Sequence, residues 1–128
     1  MAVYYDETGD FDSVMKTELR SLDIISMMRE QERDAKSALE TISKHKAELS
    51  SDFDYLESLL TRRINLANDR ISREASRQNE FLMSLSRFSV FDLERARDIL
   101  QGKRTEHVRD FVDNADRVIQ GRIDSARK

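Results

Sequence analysis

The sequence predicts an all-α fold, a bundle of four to five helices around one long central helix. Three observations predict it. The 128 residues hold no Pro and only three Gly, too few for the tight turns of a β-rich fold. Residues 52–85 carry a clear helical period: Phe53, Leu56, Leu60, Ile64, Ala67, Ile71 and Ala75 recur every three or four positions. Polar clusters suited to capping, Ser50-Ser51-Asp52 above all, stand where such helices would begin.

Residues 1–11 read as an acidic, irregular lead-in. They hold Asp6, Glu7 and Asp10, followed by Asp12, and Gly9 punctuates them. Solvated tails rarely carry aromatics, so Tyr4, Tyr5 and Phe11 are expected to pack on the body or on a partner subunit. A single helical domain then spans 12–128. Its first helix starts at Asp12 or Ser13, with an apolar face of Val14, Met15, Leu22, Ile25 and Met28 and Leu19 beside it. Ala35, Ala38, Leu39, Ile42 and Leu49 form a second stripe. A break is placed at 33–37, although the absence of Gly and Pro there leaves one long bent helix open.

The central helix runs from Asp52 to about Arg87. Ser89 caps a short helix, VFDLERARDIL, with Asp92 three residues on, and Gly102 stops it. Thr105 is placed as the cap of a last helix with the face Val108, Phe111, Val112, Ala115, Val118, Ile119 and Ile123. At about 1.5 Å per residue the central helix would be about 50 Å long, more than a domain of this size is wide. Part of it must project, so oligomerisation through helix packing is expected.

Composition narrows the function. Cysteine is absent, which removes disulfides and thiolate zinc sites. No apolar run reaches a membrane span, and the start lacks a signal pattern. A cytoplasmic protein is expected. The net charge of −3 argues against general nucleic-acid binding, but residues 62–77 hold five Arg against Asp69 and Glu74. Arg62, Arg63, Arg70, Arg73 and Arg77 form a cationic ridge beside the apolar stripe. Arg suits bidentate contact with carboxylate or phosphate, so the ridge is either a partner-binding strip or a solvated, salt-bridged face.

Catalytic chemistry is poorly supplied. His45 and His107 lack a ligand partner at helical spacing, and no phosphate loop, nucleophile elbow or Cys nucleophile is present. A non-catalytic protein without metal or cofactor is expected.

Three passages carry a family resemblance: LRSLDIISMMREQERDAKSALETI, DFDYLESLLTRRINLANDRI and SRFSVFDLERARDIL. In order, they resemble the opening, long and short helices of the helical A-domain of archaeal GINS subunits. Leu59, Leu60, Arg62, Arg63, Ile64, Leu66 and Ala67 stand at the positions of the long helix's leucine pair, basic residues and I-x-x-L-A pattern. The likeness covers about residues 12–120. The family's Pro-rich connection is missing, and nothing after Gly102 alternates as a strand. The chain would thus correspond to the A-domain alone, as a truncated form or one lacking the β-rich B-domain. The resemblance implies a tetrameric scaffold that bridges the MCM helicase and a RecJ-type partner at the replication fork, with a nucleoid-associated location. Under that reading the subunit interface draws on Tyr4, Tyr5, Phe11, Leu59, Leu60, Ile64, Leu66 and Ile71, and the Arg ridge meets partners. The residues alone leave two alternatives: a helical adaptor or chaperone that holds a partner helix, and a weak nucleic-acid binder using the ridge.

Overall fold

The computed structural model describes the backbone of residues 2–127 and the side chains of residues 10–127. Among them five α-helices and no strand are found, in the order α1 (Ala2–Lys44), α2 (Lys46–Leu49), α3 (Asp52–Ser84), α4 (Val90–Gln101) and α5 (Arg109–Ala126). A 3₁₀ turn, Leu85–Arg87, comes directly after α3. The chain is all-α, as its composition predicts.

The first correction concerns α1. Residues 2–11 are helical and continuous with the remainder of α1, and nothing breaks at 33–37. Only Gly9 opposes a helix in the lead-in, at a cost of about 1 kcal/mol, which the burial of Phe11 and Met15 outweighs. Through the expected break, Ala35 is buried in a packing seam and Lys36 pairs with Glu32 at 2.9 Å, one turn back. Tyr4 and Tyr5 have side chains outside the described residues.

α1 and α3 lie antiparallel, joined through one-turn α2 and a tight reversal. Ser50 has φ 55° and ψ −123°, and Ser51 has φ −66° and ψ −24°. These angles are close to those of a type II′ turn, whose first central position favours Gly. The central helix begins at Asp52 as expected, but no side chain caps it: Ser51 is already in the α region. The Ser50 carbonyl accepts from Phe53 N at 3.2 Å instead.

The α1–α3 seam follows a seven-residue step. On α1 the inward columns are Phe11, Glu18, Ile25, Glu32, Leu39 and Val14, Ser21, Met28, Ala35, Ile42. On α3 they are Phe53, Leu60, Ala67, Glu74, Phe81 and Ile64, Ile71, Gln78, Leu85. Ser21 meets Glu74 directly, which fixes the register. The step then sets Met28 opposite Ala67, Ala35 opposite Leu60 and Ile42 opposite Phe53, the geometry of a two-stranded coiled coil. Ala35 and Leu60 do line one hollow together. Small Ala35 and Ala67, both buried, let the helices approach closely.

α4 and α5 form a second hairpin that covers one side of the seam near the N-terminal half of α1. The core sits there: Phe11, Met15, Leu22 and Ile25 pack with Phe81, Leu85, Phe88, Leu93, Ala96, Leu100, Val112, Ile119 and Ile123. Phe11 and Phe88 meet edge to face at 5.4 Å. Ser89 Oγ accepts from Asp92 N at 3.2 Å, so the expected cap of α4 is in place. Gly102 ends α4 in an ordinary helical conformation, φ −65°, without using glycine's left-handed freedom. The last helix starts at Arg109 and not after Thr105. Val108, whose N–H bonds to the Thr105 carbonyl at 3.2 Å, is drawn into the core before α5 begins.

Arg29 marks the edge of this head. Its guanidinium donates to both Asp110 carboxylate oxygens, at 2.7 and 3.0 Å, and to the His107 carbonyl at 2.6 Å. Among the described residues, no hydrogen bond or ion pair joins α4 or α5 to positions 30–73. Beyond Arg29 the hairpin runs on as an arm, about 20 Å long at 1.5 Å per residue.

Candidate functional site

Two features of the hairpin have chemical content, a buried polar layer and an uncovered arm face. The polar layer lies where the seam enters the head. Glu18, Ser21, Glu74 and Gln78 are all buried. Ser21 Oγ donates to Glu74 Oε2 at 2.9 Å, and Arg77 donates to Glu74 Oε1 at 3.1 Å. Arg70 reaches the same oxygen at 3.4 Å. Gln78 Nε2 donates to the Phe111 carbonyl at 3.0 Å, and Asn114 donates to Gln78 Oε1 at 3.3 Å, so the layer also ties α3 to α5.

Glu18 is the odd member. Its Oε2 is buried and finds no hydrogen-bond partner among the described residues. Burial pushes its carboxyl up to about 7; the Gln78 side chain opposes the shift and the Glu74 carboxylate adds to it. One layer thus holds the Glu74 side chain, paired with two guanidiniums, and the Glu18 carboxyl, which retains its proton below neutral pH. A cleft of about 380 Å³ opens beside the layer, lined by Thr17, Glu18, Arg77, Glu80, Phe81 and Arg87 among others.

Sequence inspection missed this layer because the apolar stripe was followed by residue type. It continued from Ile71 to Ala75, yet Glu74 takes the buried position and Ala75 is half-buried. The signal was present: the step 53, 60, 67, 74, 81 is buried or half-buried throughout and polar only at Glu74.

The Arg ridge divides. Arg70 and Arg77 belong to the Glu74 cluster. Arg63 stands at the rim of an open hollow of about 420 Å³, with Gln31, Asp34, Ala35, Ala38 and Leu60. Arg62 and Arg73 point away from the seam and are exposed. Among the described residues, Arg62, Arg63 and Arg73 form no ion pair.

The residues assigned to a subunit interface also separate. Phe11 is 1% exposed inside the head, so of the two places expected for it, it occupies the body. Leu60, Ile64 and Ile71 are half-buried along the α1 seam, which their seven-residue step explains. Leu59 and Leu66 are exposed, at 43% and 57%, and Tyr55 and Met27, which sequence inspection did not select, are exposed at 66% and 51%. No helix among the described residues is long and apolar enough to cross a membrane, and no group of three potential metal ligands occurs among them.

The chain matches no known family model, no characterised protein and no solved structure at a significant level.

Proposed function

We propose that this chain is a non-catalytic, oligomerising scaffold that presents its α1–α3 arm to other proteins. The observation that carries the reading is the uncovered apolar row on the arm: Tyr55, Leu59 and Leu66 stay exposed on the N-terminal half of α3, outside the core that α4 and α5 build. Large apolar side chains clustered on a rigid, projecting element favour association, because burying them releases water at about 25 cal/mol per Å². A paired-helix arm is ordered before it binds, which lowers the entropic cost of docking.

The specific form of this proposal is a GINS-like subunit of the replication fork, a tetrameric scaffold between the MCM helicase and a RecJ-type protein. It rests on the three sequence passages, in particular Leu59 to Ala67. Sedimentation at micromolar concentration, with and without purified MCM and RecJ-type proteins, tests it. A higher-order species that binds either protein is the expected result. A monomer with affinity for neither overturns the fork assignment.

A further inference from the structure

One side of the hairpin is closed by α4 and α5 and the other stays open along its length. Two stripes border the open side of the arm. Ile24, Met27, Gln31, Asp34 and Ala38 succeed one another at steps of three and four on α1. Leu56, Leu59, Arg63, Leu66 and Arg70 do the same on α3. Gln31, Asp34, Ala38 and Arg63 line one hollow together, which shows that the two stripes face a common groove. Three of the exposed large apolar residues, Met27, Leu59 and Leu66, thus fall on its two banks.

The charge of the groove is one-sided. In antiparallel helix pairs, positions flanking the seam commonly carry opposite charges that meet across it. Here α3 offers Arg63, Arg70 and Arg77 at the seven-residue step, whereas the matching column of α1 is Thr17, Ile24, Gln31 and Ala38. None of these four is charged. Glu74 reaches Arg70 and Arg77 from inside the seam, and Arg63 has no ion-pair partner among the described residues. Asp34, in the bank near Arg63, is the acid that a visitor would have to avoid.

We propose that this groove is the docking site for an acidic amphipathic helix of a partner protein, which completes a three-helix bundle on the arm. Apolar side chains of the visitor pack on Met27, Leu59 and Leu66, one of them filling the hollow beside Ala35 and Ala38. Its carboxylates meet Arg63 and Arg70 and extend toward Arg77. From Ile24 to Ala38 the groove accommodates about four helical turns. The apolar floor and the acids Asp34, beside Arg63, and Glu80, beside Arg77, disfavour a nucleic-acid backbone, which wants an unbroken cationic track. The assignment rests on the scaffold reading and specifies the surface and partner chemistry it uses.

The probe is a fluorescent synthetic helix of about four turns with Leu facing the groove and Glu on both flanks, measured by anisotropy beside a twin with Lys in place of Glu. The Glu helix binds and the Lys helix does not; Arg63→Glu and Leu66→Glu each weaken binding by about tenfold or more, while Arg33→Glu, exposed on α1 away from the groove stripe, has a small effect. Both altered residues are exposed, and far-UV circular dichroism verifies that each variant is folded. Equal binding of the two helices, or binding untouched by Arg63→Glu and Leu66→Glu, overturns the proposal. So does a labelled DNA duplex that binds through the same residues, or a dimer of the chain that Leu66→Glu dissolves. A complex with MCM or RecJ-type protein that survives both variants removes the groove assignment and leaves the scaffold standing. Normal peptide binding with no affinity for either protein does the reverse for the fork assignment.

Discussion

Ser21 and Glu74, on helices that run in opposite directions, share a hydrogen bond of 2.9 Å in the buried centre of the hairpin. That bond pins the register. A one-step slip would move Glu74 from its hydroxyl and guanidinium partners to an apolar layer, where an unpaired carboxylate costs several kcal/mol. Polar groups in an apolar seam commonly serve to select one alignment in this way.

Replacing Glu74 tests the pin. Glu74→Leu leaves the buried Ser21 hydroxyl unpaired and is expected to destabilise the fold by about 1–3 kcal/mol in denaturant unfolding. The double variant Ser21→Ala with Glu74→Leu removes both partners and is expected to recover most of that loss. A double variant as unstable as the single one would show that the pair does not act as a unit.

Glu18, next to this pair, makes stability depend on pH. Its carboxyl titrates near 7 in the folded chain against 4.5 when free. A raised carboxyl pKa means that folding favours the protonated form. Its contribution is complete below about 4.5 and is lost as pH rises through about 7, by about 3 kcal/mol at the limit. Thermal melts from pH 5 to 9 read this slope, and Glu18→Gln should flatten it and raise stability at the alkaline end. A wild-type curve that is level across neutral pH contradicts the assignment.

The two features were unequally legible in the sequence. Helix content comes from the lack of Pro and the 3.6-residue period, and the starts of α3 and α4 were marked by Ser51-Asp52 and Ser89. The unbroken α1 was less legible, because an isolated Gly9 and a polar stretch at 29–37 look like punctuation until packing is known. Glu18 and Glu74 were hard to read for a different reason, although Glu74 falls on the seven-residue step of the apolar column. Acids on helices are usually solvated, and only the packed structure, through the Ser21 bond to Glu74 and the burial of Glu18, reveals that these two face inward. The split of the Arg ridge has the same origin: sequence spacing gives the face of a residue, whereas Glu74 decides which guanidiniums are engaged.

The arm's tip stores a removable strain. Ser50 is the only non-glycine residue with a positive φ among those described, at 55°. A side chain in that region costs about 1 kcal/mol, whereas Gly enters it freely. Ser50→Gly is therefore expected to raise stability by up to about 1 kcal/mol, despite the entropy Gly adds to the unfolded chain. A lower melting temperature for this variant would place the turn in a different conformation.

Arg29 joins the arm to the head, and its removal should loosen α5 selectively. The side chain holds Asp110 by two hydrogen bonds and the His107 carbonyl by a third, and it lies over the Phe111 ring at 5.0 Å. The hydrogen bonds to Arg29 are the main reason the Asp110 carboxyl titrates below its ordinary range. A lowered carboxyl pKa contributes stability that is present above the free value near 3.8 and lost as pH falls through the folded value. Arg29→Ala is expected to cost about 1–2 kcal/mol and to reduce that acid-side loss, leaving the part that the backbone N–H groups of Asp110 and Phe111 supply. Amide hydrogen exchange at residues 108–112 should accelerate more than exchange at 20–25, because the head core around Leu22 and Ile25 does not depend on Arg29. Equal acceleration in both segments would mean that Arg29 supports the whole fold and not the docking of α5 alone.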